Sequence, residues 1–177
     1  MKYVLFDRDG VLIKDPVDFR VTSIGDIQLF DDTLSALKTL HENGYAIIII
    51  TNQAGISEGR ISIEDFDVIQ ESVVRQLEES GIEVVTTYMC PHTDEDECTC
   101  RKPQPKMLLQ AITDYELPAE KTFMLGDHHS DVLAGKAAGV KTILVQTATG
   151  KQDESPEADF IANNLTEAVD YIIMHQA

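Results

Sequence analysis

The sequence predicts an α/β fold with a mainly parallel sheet, and three observations predict it. Short apolar runs of strand character alternate with segments of helical periodicity along the chain. The longest such run, Tyr45-Ala46-Ile47-Ile48-Ile49-Ile50, is apolar at every position, as a strand covered on both faces must be. Polar and acidic residues follow the strands at their carboxyl ends, where open sheets of this class bind ligands.

The first strand is Tyr3-Val4-Leu5-Phe6, and it runs into Asp7-Arg8-Asp9-Gly10. In an extended chain the carboxylates at i and i+2 project to the same side, while Gly10 lets the backbone turn away. Such a pair either holds a divalent cation and divides nucleophilic from acid/base work, or merely solvates a strand end. Residues 14–30 lack a sustained period and read as a long loop. Asp31-Asp32-Thr33 offers N-cap chemistry to a helix with Leu34, Leu37 and Leu40 on one side, stopped by Asn43-Gly44. The second strand, from Tyr45, delivers Thr51-Asn52-Gln53.

A loop with Gly55 and Gly59 then leads to Ser62, and Asp65 three residues on completes a capping-box pattern. Phe66, Ile69, Val73 and Leu77 mark the helix, which stops at Gly81. Val84 to Tyr88 is the third strand. A helix opens at Pro105, a residue tolerated in a first turn. Thr122 to Leu125 is the fourth strand, ending in Gly126-Asp127. A short helix spans about Ser130 to Ala138 before Gly139, and Lys141 to Val145 is the fifth strand. From about Asp159 to Ile173 the chain can hold one more short strand and a closing helix.

A length of 177 residues suits a single domain, 1–177, with a real core. The net charge of −17 argues against nucleic acid and anionic membranes as partners, so an anionic substrate must be gripped locally. No apolar run is long enough to span a bilayer, and Met1-Lys2 leads straight into a strand, so the expected location is cytoplasmic. Nothing points to an obligate protein partner.

All three cysteines fall in Cys90-Pro91-His92 and Cys98-Thr99-Cys100. Cys90, His92, Cys98 and Cys100 supply four borderline-soft ligands, the count of a closed structural Zn2+ site on a loop at about 90–100. Lys102 lies two residues beyond the last ligand. The zinc would therefore stiffen the loop that presents Arg101 and Lys102, a positioning role. The acidic run Asp94 to Glu97 reads as the solvated tip of that loop.

Asp7-Arg8-Asp9-Gly10, Thr51-Asn52-Gln53, Lys102 and Gly126-Asp127-His128-His129-Ser130-Asp131 occur in that order at predicted strand ends. Together they resemble the four motifs of the haloacid dehalogenase superfamily of phosphatases, over most of the chain. The resemblance implies a Rossmann-like three-layer α/β/α fold without a large cap domain. It implies that Asp7 is a nucleophile and that Asp7, Asp127 and the backbone carbonyl of Asp9 hold Mg2+ between substrate and enzyme. The Asp9 side chain would serve as acid and base, while Thr51, Asn52 and Lys102 bind the phosphoryl oxygens. Asp131 either orients Lys102 or a metal-bound water, or is simply a first-turn helix acid.

The zinc loop narrows the resemblance to the capless branch that holds histidinol-phosphate and D-glycero-D-manno-heptose 1,7-bisphosphate phosphatases. Three loops, 14–30, 53–61 and 90–106, would then wall the site. Lys102 to Leu108, and Ala138-Gly139-Val140 through Thr149-Gly150, resemble the heptose type. Asp15 to Val21 and Asp96-Glu97-Cys98 resemble the histidinol type. Glu58 stands where the heptose enzymes tend to carry arginine, and Arg60, freed by Gly59, is the candidate replacement. His128 replaces a Lys or Arg of both branches, as a weaker phosphate contact or as a polar turn.

These features imply a Mg2+-dependent phosphomonoester hydrolase that works through a phospho-aspartate on a small phosphorylated metabolite. Heptose 1,7-bisphosphate ranks first and histidinol phosphate second. A bisphosphate needs a second cationic grip, for which Lys14, Arg20, Arg60 and Arg101 are candidates. A zinc-stabilised phosphate-binding module without turnover is the alternative of another class, and the presence of Asp9 speaks against it.

Overall fold

The computed structural model describes residues 2–15, 21–146 and 155–175. The expected contributions of Pro16 to Arg20 and of Thr149-Gly150 lie outside the described residues. Among the described residues, six strands form one sheet: β1 (Lys2–Phe6), β2 (Tyr45–Asn52), β3 (Val84–Cys90), β4 (Phe123–Gly126), β5 (Lys141–Val145) and β6 (Phe160–Ala162). Their order is β3-β2-β1-β4-β5-β6, and every described pairing is parallel. The chain leaves β1 toward β2 on one side and returns to β4 on the other. The order therefore reverses between β1 and β4, and a crevice opens beyond their carboxyl ends.

Five α-helices of the described residues cover the sheet: α1 (Thr33–Glu42), α2 (Ile63–Glu78), α3 (Lys106–Asp114), α4 (His129–Ala138) and α5 (Leu165–Met174). Alternation along the strands splits the core in two. Val4, Phe6, Ile47, Ile49 and Leu125 pack on one face with Leu37, Leu40, Phe66, Val73 and Ile172 of α1, α2 and α5. Leu5, Ile48, Ile50 and Met124 pack on the other with Met107, Leu108, Ala134 and Ala138 of α3 and α4. This is the three-layer arrangement expected from the fully apolar β2.

Two details depart from the sequence reading. Leu34 faces solvent, and the inner side of α1 is Thr33, Ala36, Leu37 and Leu40. Thr33 belongs there because its hydroxyl donates to the carbonyl of Leu12, which satisfies a buried polar group. Asp32 does not cap its own helix. Its carboxylate accepts from the backbone N–H and hydroxyl of Thr166 at 3.0 and 3.1 Å, and so serves the first turn of α5. The Ser62 cap of α2 forms as expected, accepting from the Asp65 N–H at 3.0 Å. Strand β3 runs two residues further than predicted and ends on Cys90, which places the first cysteine at the sheet.

Candidate active site

The crevice at the β1/β4 reversal holds the predicted acids. The N–H of Asp7 continues the ladder to the carbonyl of Leu125 at 2.8 Å, which places Asp7 and Asp127 side by side at adjacent strand ends. Gly10 turns the chain with φ +87°, and a Cβ there would overlap the Asp127 carboxylate. Gly126 is just as restricted, since a Cβ on it would overlap Asp131. Both glycines are required by close approach of the acids.

Carboxylate oxygens of Asp7, Asp127 and Asp131 lie within 4.8 Å of one another. Lys102 enters this cluster from the loop after β3 and is only 3% exposed. Its Nζ donates to Asp7 Oδ1 and to the Ile50 carbonyl, each at 2.8 Å, and pairs with Asp131 Oδ1 at 2.6 Å. Burial alone would lower the Lys102 pKa, but Asp131 and Asp7 outweigh it and hold the ammonium above its ordinary range. Asp7 is raised to about 7 by burial, against the pull of Lys102. Asp127 is raised to about 9 by burial and by its neighbours Asp7 and Asp131. Three carboxylates face one ammonium, and a divalent cation would make up the difference. The donor set, all hard oxygens, suits Mg2+.

Asp9 is turned differently. Arg8, 1% exposed, donates from Nε and Nη2 to the two Asp9 oxygens at 3.0 Å each. Its Nη1 reaches Gln70 of α2 at 3.2 Å, and its guanidinium lies over the Phe66 ring. From the β2 end, Gln53 Nε2 donates to Asp9 at 2.7 Å and to Thr51 Oγ1 at 2.8 Å, and Thr51 Oγ1 donates to Asp9 at 3.4 Å. Asn52 forms a reciprocal pair with the Lys102 backbone: Nδ2 donates to its carbonyl at 3.1 Å and Oδ1 accepts its N–H at 3.0 Å. That pair ties the lysine-bearing loop to β2.

The four soft donors also converge. Cys90, His92, Cys98 and Cys100 place one ligand atom each within 4.8 Å of the others, with sulfur separations of 2.8, 3.5 and 3.6 Å. A tetrahedral zinc with bonds near 2.3 Å sets sulfurs about 3.8 Å apart, so the cluster has the composition and nearly the spacing of such a site. The N–H of Arg101 points at Cys98 Sγ at 3.4 Å, which links this cluster to the loop carrying Arg101 and Lys102. The acidic run is more than a solvated tip. Asp94 accepts from Arg101 Nε at 2.6 Å, and Asp96 accepts the N–H and hydroxyl of Thr93.

Two connected chambers open over the acids. The inner one is lined by Asp7, Asp127, Asp131, Lys102, His128 and Ser130, the outer one by Val21, Thr22, Gln53, Gly55 and Ile61. Asp9, Asp15, Asn52 and Arg101 line both. Their walls come from the three loops expected to form them. Of the cations considered for a second phosphate, Arg101 reaches the chambers. Lys14 pairs with Asp31 at 3.2 Å, and Arg60 pairs with Glu58 at 2.9 Å outside the lining; Arg20 lies outside the described residues. His128 lines the inner chamber while its Nδ1 accepts the Ser130 N–H at 3.1 Å as the N-cap of α4.

Sequence reasoning gave no role to Arg8, Gln53 or Gln70, and placed Asp15 only among the residues of the histidinol type. For Arg8 a signal existed. If Asp7 and Asp9 face one side of the strand end, the residue between them faces the other, and an arginine there must find partners inside the fold.

The family model described as HAD-hydrolase-like matches residues 99–168. The D-glycero-beta-D-manno-heptose-1,7-bisphosphate 7-phosphatase of Pasteurella multocida is 36% identical over 94% of this chain and 94% of its own. The enzyme of the same name from Haemophilus ducreyi is 37% identical over 97% of this chain and 98% of its own. Among solved structures, the D,D-heptose 1,7-bisphosphate phosphatase of B. bronchiseptica complexed with magnesium and phosphate superposes with a TM-score of 0.90. It is 29% identical and covers 98% of this chain and 99% of its own. With relatives this similar over nearly their whole length, the chain belongs to the haloacid dehalogenase-like hydrolases, in the branch of these heptose-bisphosphate phosphatases.

Proposed function

We propose that residues 1–177 form one phosphatase domain that removes the 7-phosphate of D-glycero-D-manno-heptose 1,7-bisphosphate in the cytoplasm. The observation that carries this reading is the buried set Asp7, Lys102, Asp127 and Asp131 at the β1/β4 crevice, in a chain whose near full-length relatives bear that enzyme's name. Asp7 attacks phosphorus and displaces the sugar oxygen, giving a phospho-aspartate. Asp9 gives a proton to the departing oxygen and later takes one from the water that frees phosphate. Lys102, with Thr51, faces the phosphoryl oxygens on which charge gathers. Asn52 holds the Lys102 backbone in place, and Asp131 fixes its ammonium.

Asp7 and Asp127, with Asp131 beside them, would hold Mg2+, which lowers the repulsion between carboxylate and phosphate. Cys90, His92, Cys98 and Cys100 would hold Zn2+ as a brace for the Arg101–Lys102 loop. No helix among the described residues is long and apolar enough to cross a membrane. Histidinol phosphate is the second reading, resting on the acids near the outer chamber; it lacks the support that the relatives give the heptose substrate.

Phosphate release should be measured on heptose 1,7-bisphosphate and histidinol phosphate, with and without Mg2+, and the phosphate left on the sugar located by NMR. A Mg2+-dependent reaction that leaves the 1-phosphate is expected. Asp7→Asn should abolish it in a folded protein. A clear preference for histidinol phosphate, or turnover by Asp7→Asn free of deamidated material, would sink the reading.

A further inference from the structure

Gln70 sits on the inward face of α2, among Phe66, Ile69, Val73 and Leu77, and is only 7% exposed. An amide on an otherwise apolar stripe is kept there by its partners, because a buried amide without them costs stability. Arginine can only donate, so Oε1 is the atom that accepts from Arg8 Nη1 at 3.2 Å. That leaves Nε2 to donate to Thr87 Oγ1 of β3 at 2.9 Å. The amide therefore has one orientation, fixed by the sheet at one end and by the guanidinium at the other.

The guanidinium carries that orientation into the site. Arg8 and Asp9 are neighbours in the chain, and their forked contact fixes neither against the rest of the fold. Without an outside reference the pair could swing as a unit about the turn at Gly10. On the Asp9 side Gln53 supplies such a reference at 2.7 Å. On the Arg8 side it comes from α2, through Gln70 and the Phe66 ring 5.4 Å from the guanidinium. Of Thr87, Gln70, Arg8 and Asp9, only Asp9 lines the chambers. We infer that Gln70 is a positioning residue: through Arg8 it sets the direction from which the Asp9 carboxylate meets the leaving oxygen. The inference rests on the acid/base role given to Asp9 above. Misplacing such a group by about 1 Å can cost on the order of 100-fold in rate.

The test uses two esters that differ in their need for an acid. A sugar alkoxide needs a proton to depart, whereas p-nitrophenolate leaves without one. The kcat/KM value covers the steps up to that departure, so hydrolysis of the phospho-aspartate, common to both esters, does not enter it. Asp9→Asn should lower kcat/KM on heptose 1,7-bisphosphate far more than on p-nitrophenyl phosphate. Gln70→Leu should show the same split at smaller size, roughly three- to thirty-fold on the heptose and about two-fold or less on the other ester, as part of a general acid's contribution. Gln70→Glu keeps an acceptor for Arg8 and should recover most of the loss. Thr87→Val releases the far end of the amide and should cost the heptose reaction a few-fold. The double variant Arg8→Met/Gln70→Leu should be no worse on the heptose than Arg8→Met alone, because two links of one chain do not add.

Equal losses on the two esters in a folded Gln70→Leu protein, checked by its melting curve, would make Gln70 a structural residue and overturn the inference alone. So would losses that multiply in the double variant, since Gln70 would then act apart from Arg8. Should Gln70→Leu not fold, Thr87→Val carries the test, and an unchanged ratio of the two kcat/KM values in it overturns the inference. Absence of a split in Asp9→Asn, or hydrolysis of p-nitrophenyl phosphate but not of heptose bisphosphate by the unmodified enzyme, would overturn the parent reading and this inference with it.

Discussion

Arg8 grips both carboxylate oxygens of Asp9, its neighbour in sequence, with two N–H bonds of 3.0 Å. Because Arg8 is buried against Phe66 and anchored on Gln70, the direction of the Asp9 carboxylate is set from α2. Gln70 in turn donates to Thr87 of β3 at 2.9 Å. Arg8 is thus placed to position Asp9, the acid/base group proposed above. Arg8→Met should lower kcat on heptose bisphosphate about ten- to a hundred-fold, part of the usual contribution of a general acid, with little change in KM. Arg8→Lys should recover only part, since an ammonium cannot replace the two-pronged contact. Breaking one side of this part-buried pair should also destabilise the fold by about 2 kcal/mol. A melting curve separates that effect from catalysis, and an unchanged kcat in folded Arg8→Met would refute the positioning role.

Magnesium should raise the thermal stability of the protein, because it binds the folded acids and not the dispersed ones. At a concentration 100 times its dissociation constant the gain is about 2.7 kcal/mol. Asp127→Asn should lose most of that gain, yet melt at or above the unmodified protein when no metal is added. The reason is that its carboxylate is buried among Asp7 and Asp131. Differential scanning calorimetry with and without the ion checks both halves; a full Mg2+ gain in Asp127→Asn would remove it from the metal set.

Much of this architecture was legible in the sequence. The short, β-branched apolar run of β2 suits a doubly covered strand, and with the alternation of strands and helices it pointed to a parallel sheet covered on both faces. The Ser62 cap and the Lys141 strand were read directly from local chemistry. The acids of the site could be located because strand ends converge in such sheets. What stayed hidden depends on long-range partners. Asp32 looks like a cap for α1, and only the packing of α5 beside it gives its carboxylate to Thr166. Arg60 looks free to swing, and only the local turn gives it to Glu58. The Arg8–Gln70 contact spans 62 positions, and no local pattern announces it.

Acid should weaken the fold partly through Asp159. Burial would raise its pKa, but Lys136 at 2.6 Å and the N–H and hydroxyl of Thr142 at 2.7 and 3.1 Å outweigh burial and lower it. A carboxyl whose folded pKa is depressed contributes stability that is present above its unfolded value, near 4. That stability is lost as pH falls through the folded value. Asp159→Asn should therefore melt lower at pH 7, by about 1 kcal/mol given the exposure of the pair. The difference from the unmodified protein should shrink toward pH 3. A difference that stays constant over this range would show that the charge is immaterial.

The soft cluster should bind about one zinc per chain, and removing it should act on structure before chemistry. Cys98→Ser or chelation should lower the melting temperature and weaken inhibition by inorganic phosphate, because the Arg101 N–H leans on Cys98 and Lys102 follows directly. Metal analysis gives the stoichiometry. If zinc could replace magnesium in restoring turnover to a metal-free sample, the division of labour between the two clusters would be wrong.

The second phosphate of a bisphosphate substrate tests the outer chamber most sharply. Four cations were candidates on sequence grounds, and the structure separates three of them. Lys14 is spent on Asp31 and Arg60 on Glu58, and neither lines a chamber. Arg101 lines both, its guanidinium held through Nε by Asp94 and through Nη1 by the His92 carbonyl at 3.2 Å. Its guanidinium offers further N–H groups in a planar fork that fits a phosphate. Arg101→Ala should raise the Michaelis constant for heptose 1,7-bisphosphate about ten- to a hundred-fold, the range of a charge-assisted contact. The rise for p-nitrophenyl phosphate should be several times smaller, since that ester has no second phosphate to hold. Arg60→Ala should change the Michaelis constant for heptose bisphosphate by no more than about two-fold, because an exposed ion pair contributes little. Asp94→Asn, which loosens the tether but keeps the cation, should fall between the two. A large loss in Arg60→Ala with none in Arg101→Ala would place the second phosphate outside the chambers described.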